Sequence, residues 1–157
     1  MRLATLCFLI ILFSCNQNPL KYRLIEATKS QDVNESRLAE TDYYINIPET
    51  MQIEIARGKE GQIGYSFVPK DSSMTLFGFI EIDFGQRLGD RDSDWGTLIE
   101  KVQSNLLNRQ AIWKIYQTET GRYVAESSIK KIYAKVSSDT KSGVDSGISI
   151  ISTLNRK

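Results

Sequence analysis

Thr97-Leu98-Ile99-Glu100-Lys101-Val102-Gln103-Ser104-Asn105-Leu106 is the stretch on which the fold class turns. At a helical period, Leu98, Ile99, Val102 and Leu106 share one face while Glu100, Lys101 and Gln103 lie off it. Thr97 and Glu100 have the spacing of a capping box, which satisfies free backbone donors at a helix start, and Asn108 supplies a stop. This spacing predicts a helix. The chain on either side alternates with period two instead. Tyr43, Ile45 and Ile47 oppose Tyr44 and Asn46 up to Pro48, Met51, Ile53 and Ile55 oppose Gln52 and Glu54, and Ile63, Tyr65 and Phe67 oppose Gly64 and Ser66 up to Pro69. That is the pattern of half-buried strands in a meander. Leu76 to Phe84 is apolar on both faces at first, as in a strand covered from both sides. Beyond the predicted helix, Ile112 to Tyr116 and Tyr123 to Ala125 flank Glu119-Thr120-Gly121 as a hairpin, and Ile129 to Val136 is a further strand. Val144, Ile148, Ile151 and Leu154 form a helical stripe, but Ile148-Ser149-Ile150 also alternates and Gly147 costs a helix about 1 kcal/mol, so segment 142–154 reads either way.

The N-terminus carries a different signal. Met1 and Arg2 precede an uncharged run, Leu3 to Phe13, too short for the roughly 20 residues that span a bilayer. It ends in Leu12-Phe13-Ser14-Cys15, which resembles the lipobox of bacterial lipoproteins: an apolar residue three before the cysteine, a small residue before it, then the thiol that receives lipid. Phe13 is bulkier than the residue usual there. The resemblance implies a signal peptide over 1–14, lipidation of Cys15, and no cofactor beyond that covalent lipid. The modified cysteine of such proteins carries three chains, enough for stable anchoring. Asn16 is not the aspartate that retains members of that class at the inner membrane, so the resemblance implies the outer membrane of a Gram-negative envelope.

Cleavage before Cys15 removes one charge, Arg2, and leaves basic and acidic side chains equal in number, since the whole chain holds 20 and 19. This balance excludes the basic surplus of a nucleic-acid binder. The 41% hydrophobic content excludes a disordered chain. With no histidine, His-based metal sites and triads are excluded, and Cys15 alone in the mature chain precludes an internal disulfide. Residues 15–41 read as the lipidated cysteine and a polar tether, spanning roughly 25–30 Å as a coil, with Leu20, Tyr22, Leu24 and Ile25 apolar enough to pack back on a domain over 42–157.

Strands, a helix, more strands and a closing segment make a single α+β domain, an antiparallel sheet packed with two helices. The order, with Tyr43-Tyr44-Ile45-Asn46-Ile47-Pro48 opening it and Ile132-Tyr133-Ala134-Lys135-Val136 then Val144 to Leu154 closing it, resembles the Mog1/PsbP-like fold, an α/β/α sandwich. That resemblance favours helix for the last segment and implies an accessory or binding module; it transfers no functional residue.

Asp90-Arg91-Asp92-Ser93-Asp94, with Gly96 and Glu100, places carboxylates at alternate positions as in the first ligands of an EF-hand calcium loop, so Asp90, Asp92, Asp94 and Glu100 are the candidate metal ligands. Glycine is one place late and Lys101 occupies the bidentate glutamate's place, so a solvated loop before a helix is the competing account. Asp83 joins the same residues as the cluster a carboxylate-only hydrolase or lyase would need. Ser127-Ser128-Ile129-Lys130 and Lys141-Ser142-Gly143 match strings of serine acyl-enzymes, but a strand sends Ser127 and Lys130 to opposite faces. Trp95, Trp113, Tyr116 and Tyr123 read as core before pocket lining, and Lys130-Lys131 with Lys135 as a solvent face. The functional expectation is a lipid-anchored, non-catalytic envelope module whose partners are the membrane and an envelope protein, with a periplasmic immunity-type inhibitor as the alternative beside the hydrolase.

Overall fold

The computed structural model describes residues 22–29, 32–57, 63–71, 75–82 and 94–157. In chain order these form β1 (Arg23–Leu24), β2 (Val33–Arg37), β3 (Tyr43–Pro48), β4 (Met51–Arg57), β5 (Ile63–Pro69), β6 (Phe77–Ile82), β7 (Thr97–Leu106), β8 (Arg109–Gln117), β9 (Tyr123–Ile129), β10 (Ile132–Ser138), α1 (Lys141–Ile151) and β11 (Asn155–Arg156). Eight strands make one sheet in the order β1-β7-β8-β9-β10-β6-β5-β4, and β11-β3-β2 make a second. Every pairing is antiparallel except β1 with β7.

The two-helix α+β sandwich, and the Mog1/PsbP-like arrangement with it, is overturned: the chain is mostly β, with one helix among the described residues. The difference lies at Thr97–Leu106, which is a ten-residue strand. Its register slips between Leu98 and Glu100, leaving Ile99 as the extra residue of a bulge. Beyond the bulge Val102, Ser104 and Leu106 turn inward at period two, all at 0% exposure. Ser104 sits inside because its hydroxyl reaches Ile25 O and Ser152 Oγ. Asn108 is the second residue of a tight turn: Leu107 (φ 53°) and Asn108 (φ 56°) are both left-handed and join β7 to β8 as a two-residue hairpin.

The closing segment is a helix that ends at Ile151, before the last residue of its apolar stripe, Leu154. Thr140 caps it, its side chain accepting from Gly143 N at 3.0 Å. Val144, Ile148 and Ile151 face the large sheet and β3, joining Ile45, Trp113, Ile80 and Val136 in one core. Gly147 marks the closest approach: a Cβ there would stand 2.4 Å from Val136 Cγ1. The predicted strand over Ile129 to Val136 is two strands, turned at Lys130 (φ 54°).

Residues 22–29 and 32–41, read as the far part of a tether, are built into both sheets. β1 lies along β7, with Ile25 N donating to Gln103 O at 2.8 Å, and Ile25 is buried, as its apolar character suggests. Arg23 fixes this strand by pairing with Glu100 on β7 and Asp145 on α1, at 2.8 and 2.9 Å. No helix of the described residues is long and apolar enough to cross a membrane.

Candidate functional site

The turns β7–β8 and β9–β10 lie at the same end of the large sheet, because β8 and β9 are neighbours running in opposite directions. The end of β6 reaches this level too, Ile82 pairing with Ile132. Where β3 and β11 of the small sheet approach, a cavity of about 400 Å³ opens, a size suited to a small ligand. Its apolar lining comes from Ile82, Leu107, Ile129 and Ile132, and its polar lining from Tyr43, Asn108, Arg109, Lys130, Lys131 and Arg156. Four lining residues are basic and, among the described residues, none is acidic. Arg156 takes Asp42 as a partner at 3.3 Å, with its guanidinium 5.8 Å from the Tyr43 ring centroid.

Backbone geometry singles out the same place. Among the described residues, four non-glycine residues have left-handed φ, and three of them, Leu107, Asn108 and Lys130, line this cavity. Asparagine tolerates that conformation, whereas leucine and lysine each hold it at a cost of roughly 1 kcal/mol. Such strain gathers where a side chain's position matters to function. The arrangement sets donors and cations around an apolar floor.

A second polar group lies on the opposite face of the sheet. Alternation along β9 and β10 turns Glu126, Tyr133 and Lys135 away from the core, with Lys114 and Lys135 flanking Glu126 in register. Trp95 Nε1 donates to Glu126 Oε2 at 3.0 Å, Tyr133 OH to the same oxygen at 3.2 Å, and Tyr116 OH to Oε1 at 3.3 Å. Lys135 Nζ sits 3.5 Å from the Trp95 ring centroid. Burial, then the neighbouring Glu126, raises the Tyr133 hydroxyl. Burial lowers the Lys135 ammonium against the opposing pull of Glu126, and burial raises Glu81. Three donors converging on one carboxylate brace the chain entering β7 against the sheet.

Of the residues singled out in the sequence, Cys15, Asp83, Asp90 and Asp92 lie outside the described residues. Asp94 is exposed in a turn. Glu100 receives Arg23 and Lys141, which hold its carboxyl at about pKa 2, chiefly through the Arg23 hydrogen bonds. Among the described residues no group of three Cys, Asp or Glu side chains is placed to hold a metal ion. Ser127 donates to Ile112 O at 2.8 Å inside the sheet, while Lys130 is in the turn at the cavity. Lys141 begins α1. Trp113 is core, Tyr123 packs at the core's edge, and Trp95 and Tyr116 belong to the Glu126 brace, so none of the four lines the cavity. Arg109 and Arg156 carry no sequence signal of their own, and Tyr43 carries only that of a strand: they meet through pairing between distant strands. No protein-family model matches the chain, and no curated protein matches it.

Proposed function

We propose that the chain is a non-catalytic binding module of the bacterial cell envelope, anchored through lipid on Cys15 and holding a ligand in the cavity between its two hairpin turns. The observation that carries the binding half is the cavity itself: about 400 Å³ with an apolar floor, polar groups around it, and strained residues retained at its rim. The anchoring half rests on Leu12-Phe13-Ser14-Cys15 at the end of a short apolar run. Neutral side-chain charge in the mature chain suits a module held by lipid rather than by electrostatic attraction to anionic headgroups.

Two measurements test it. Growth with a labelled fatty acid marks the wild-type chain, and Cys15→Ala abolishes the label and releases the protein from the membrane fraction. An unlabelled wild type, or an alanine variant still retained, removes the anchor from this reading. For binding, hydrogen exchange of the full chain in non-ionic detergent slows at 107–109 and 129–132 when a small-molecule extract of the envelope is added. Protection confined to other strands removes the cavity from it.

A further inference from the structure

We infer that the cavity between the two hairpin turns recognises an organic phosphate, a phosphoryl group joined to an apolar body. This deepens the binding reading above and rests on it. Arg109 and Lys130 enter no ion pair with a described carboxylate, and they stand at the rim beside Lys131 and beside Arg156, which pairs with Asp42. Arg109 and Lys130, with Lys131 and Arg156 beside them, make the mouth basic on a chain whose overall charge is near zero, and such a site selects anions by charge. A dianion gains most from several surrounding cations, and a guanidinium adds paired donors matched to phosphate oxygens. Ile82, Leu107, Ile129 and Ile132 make the floor apolar, so inorganic phosphate alone leaves half the site unused.

Lys130 supplies an independent argument. It holds a left-handed φ of 54° at a turn position where glycine incurs no steric cost. A lysine there costs the turn stability that a glycine would not, and it sets an ammonium at the rim of the cavity.

The test uses the full chain in non-ionic detergent, titrated calorimetrically with phenyl phosphate, inorganic phosphate, benzyl alcohol, and the short-chain lipids dihexanoyl-phosphatidylglycerol and dihexanoyl-phosphatidylcholine. Phenyl phosphate is expected to bind more tightly than either inorganic phosphate or benzyl alcohol. Arg109→Gln and Lys130→Gly are each expected to weaken it several-fold, and together at least tenfold, with the Lys130→Gly unfolding midpoint equal to or above wild type. Competition by the phosphatidylglycerol, and not by the phosphatidylcholine, assigns the phosphoryl group to a lipid; competition by neither assigns it to a soluble metabolite. Benzyl alcohol binding as tightly as phenyl phosphate, with the variants unchanged, overturns phosphate recognition and leaves the binding module standing. Heat from none of the probes at any concentration overturns phosphate recognition, and with unchanged exchange at 107–109 and 129–132 it takes the cavity reading down as well.

Discussion

Trp113 is the largest fully buried side chain of the core, and its indole N–H finds no acceptor among the described residues. A buried donor without a partner costs roughly 1–3 kcal/mol, whereas the ring it belongs to contributes by filling space in the core. The two effects separate by substitution. Trp113→Phe removes the unpaired donor together with part of the ring, so loss of packing and relief of desolvation oppose each other, and the net change in unfolding free energy is expected within about 1 kcal/mol. Trp113→Ala removes the packing as well, at a cost of about 3–5 kcal/mol. Urea denaturation of the three proteins measures both differences; a phenylalanine variant as unstable as the alanine variant shows that the N–H has a hidden partner.

At the scale of elements, α1 shows how packing outweighs propensity. Alanine is a better helix former than glycine by about 1 kcal/mol, so an isolated α1 would gain from Gly147→Ala. In the folded chain the added methyl meets Val136 at 2.4 Å and Leu76 at 3.0 Å. The substitution is therefore expected to destabilise by about 1–3 kcal/mol, through a displaced helix rather than a weaker one. Thr140→Ala, which removes the cap, is expected to cost about 1 kcal/mol without moving the helix. Thermal unfolding ranks them, and near-ultraviolet dichroism of the Trp113 environment, changed only in the glycine variant, separates the mechanisms. The same contest explains what the sequence made legible. The strands from Tyr43 to Pro69 and the hairpin at Gly121 announce themselves through alternation, whereas segment 142–154, with Ile148-Ser149-Ile150 alternating inside a helical stripe, reads either way. β7 does not announce itself, because the Ile99 bulge and the inward Ser104 erase its period and leave Leu98, Ile99, Val102 and Leu106 at helical spacing by accident. The cavity was illegible for a topological reason: Lys130-Lys131 looks like a solvated turn until strand pairing sets it beside Arg109, and the small sheet brings Arg156 and Tyr43.

For the molecule as a whole, the question is what closes the sheet at its β7 side, where Leu98 and Ile99 remain exposed and, among the described residues, the two of β1 pair with the edge. An edge so briefly paired relies on side chains to hold its cover. Arg23 does this, donating to Glu100 from one edge of its guanidinium and to Asp145 from another while Lys141 reaches Glu100 at 2.6 Å, so that β1, β7 and α1 meet in one network. Arg23 is raised above its ordinary value by the same hydrogen bonds and stays charged throughout, so the titrating member is Glu100, held at about 2. A carboxyl depressed on folding stabilises the native state fully above its unfolded value near 4.5, and that contribution is lost as the pH falls from there through about 2. The network is partly open to water, Arg23 at 40% and Glu100 at 27% exposure, so screening reduces it to roughly 1–2 kcal/mol. Between pH 6 and pH 3 the wild-type chain is thus expected to lose about 1 kcal/mol more unfolding free energy than Glu100→Gln, whose network has nothing to protonate at that position. Hydrogen exchange at Ile25, whose amide donates to Gln103, places the effect: acid or the glutamine should open β1 before the core strands. Parallel pH curves for the two proteins, or β1 opening only with global unfolding, would mean that Ile25 and Ser104 hold this edge and that the charges merely decorate it.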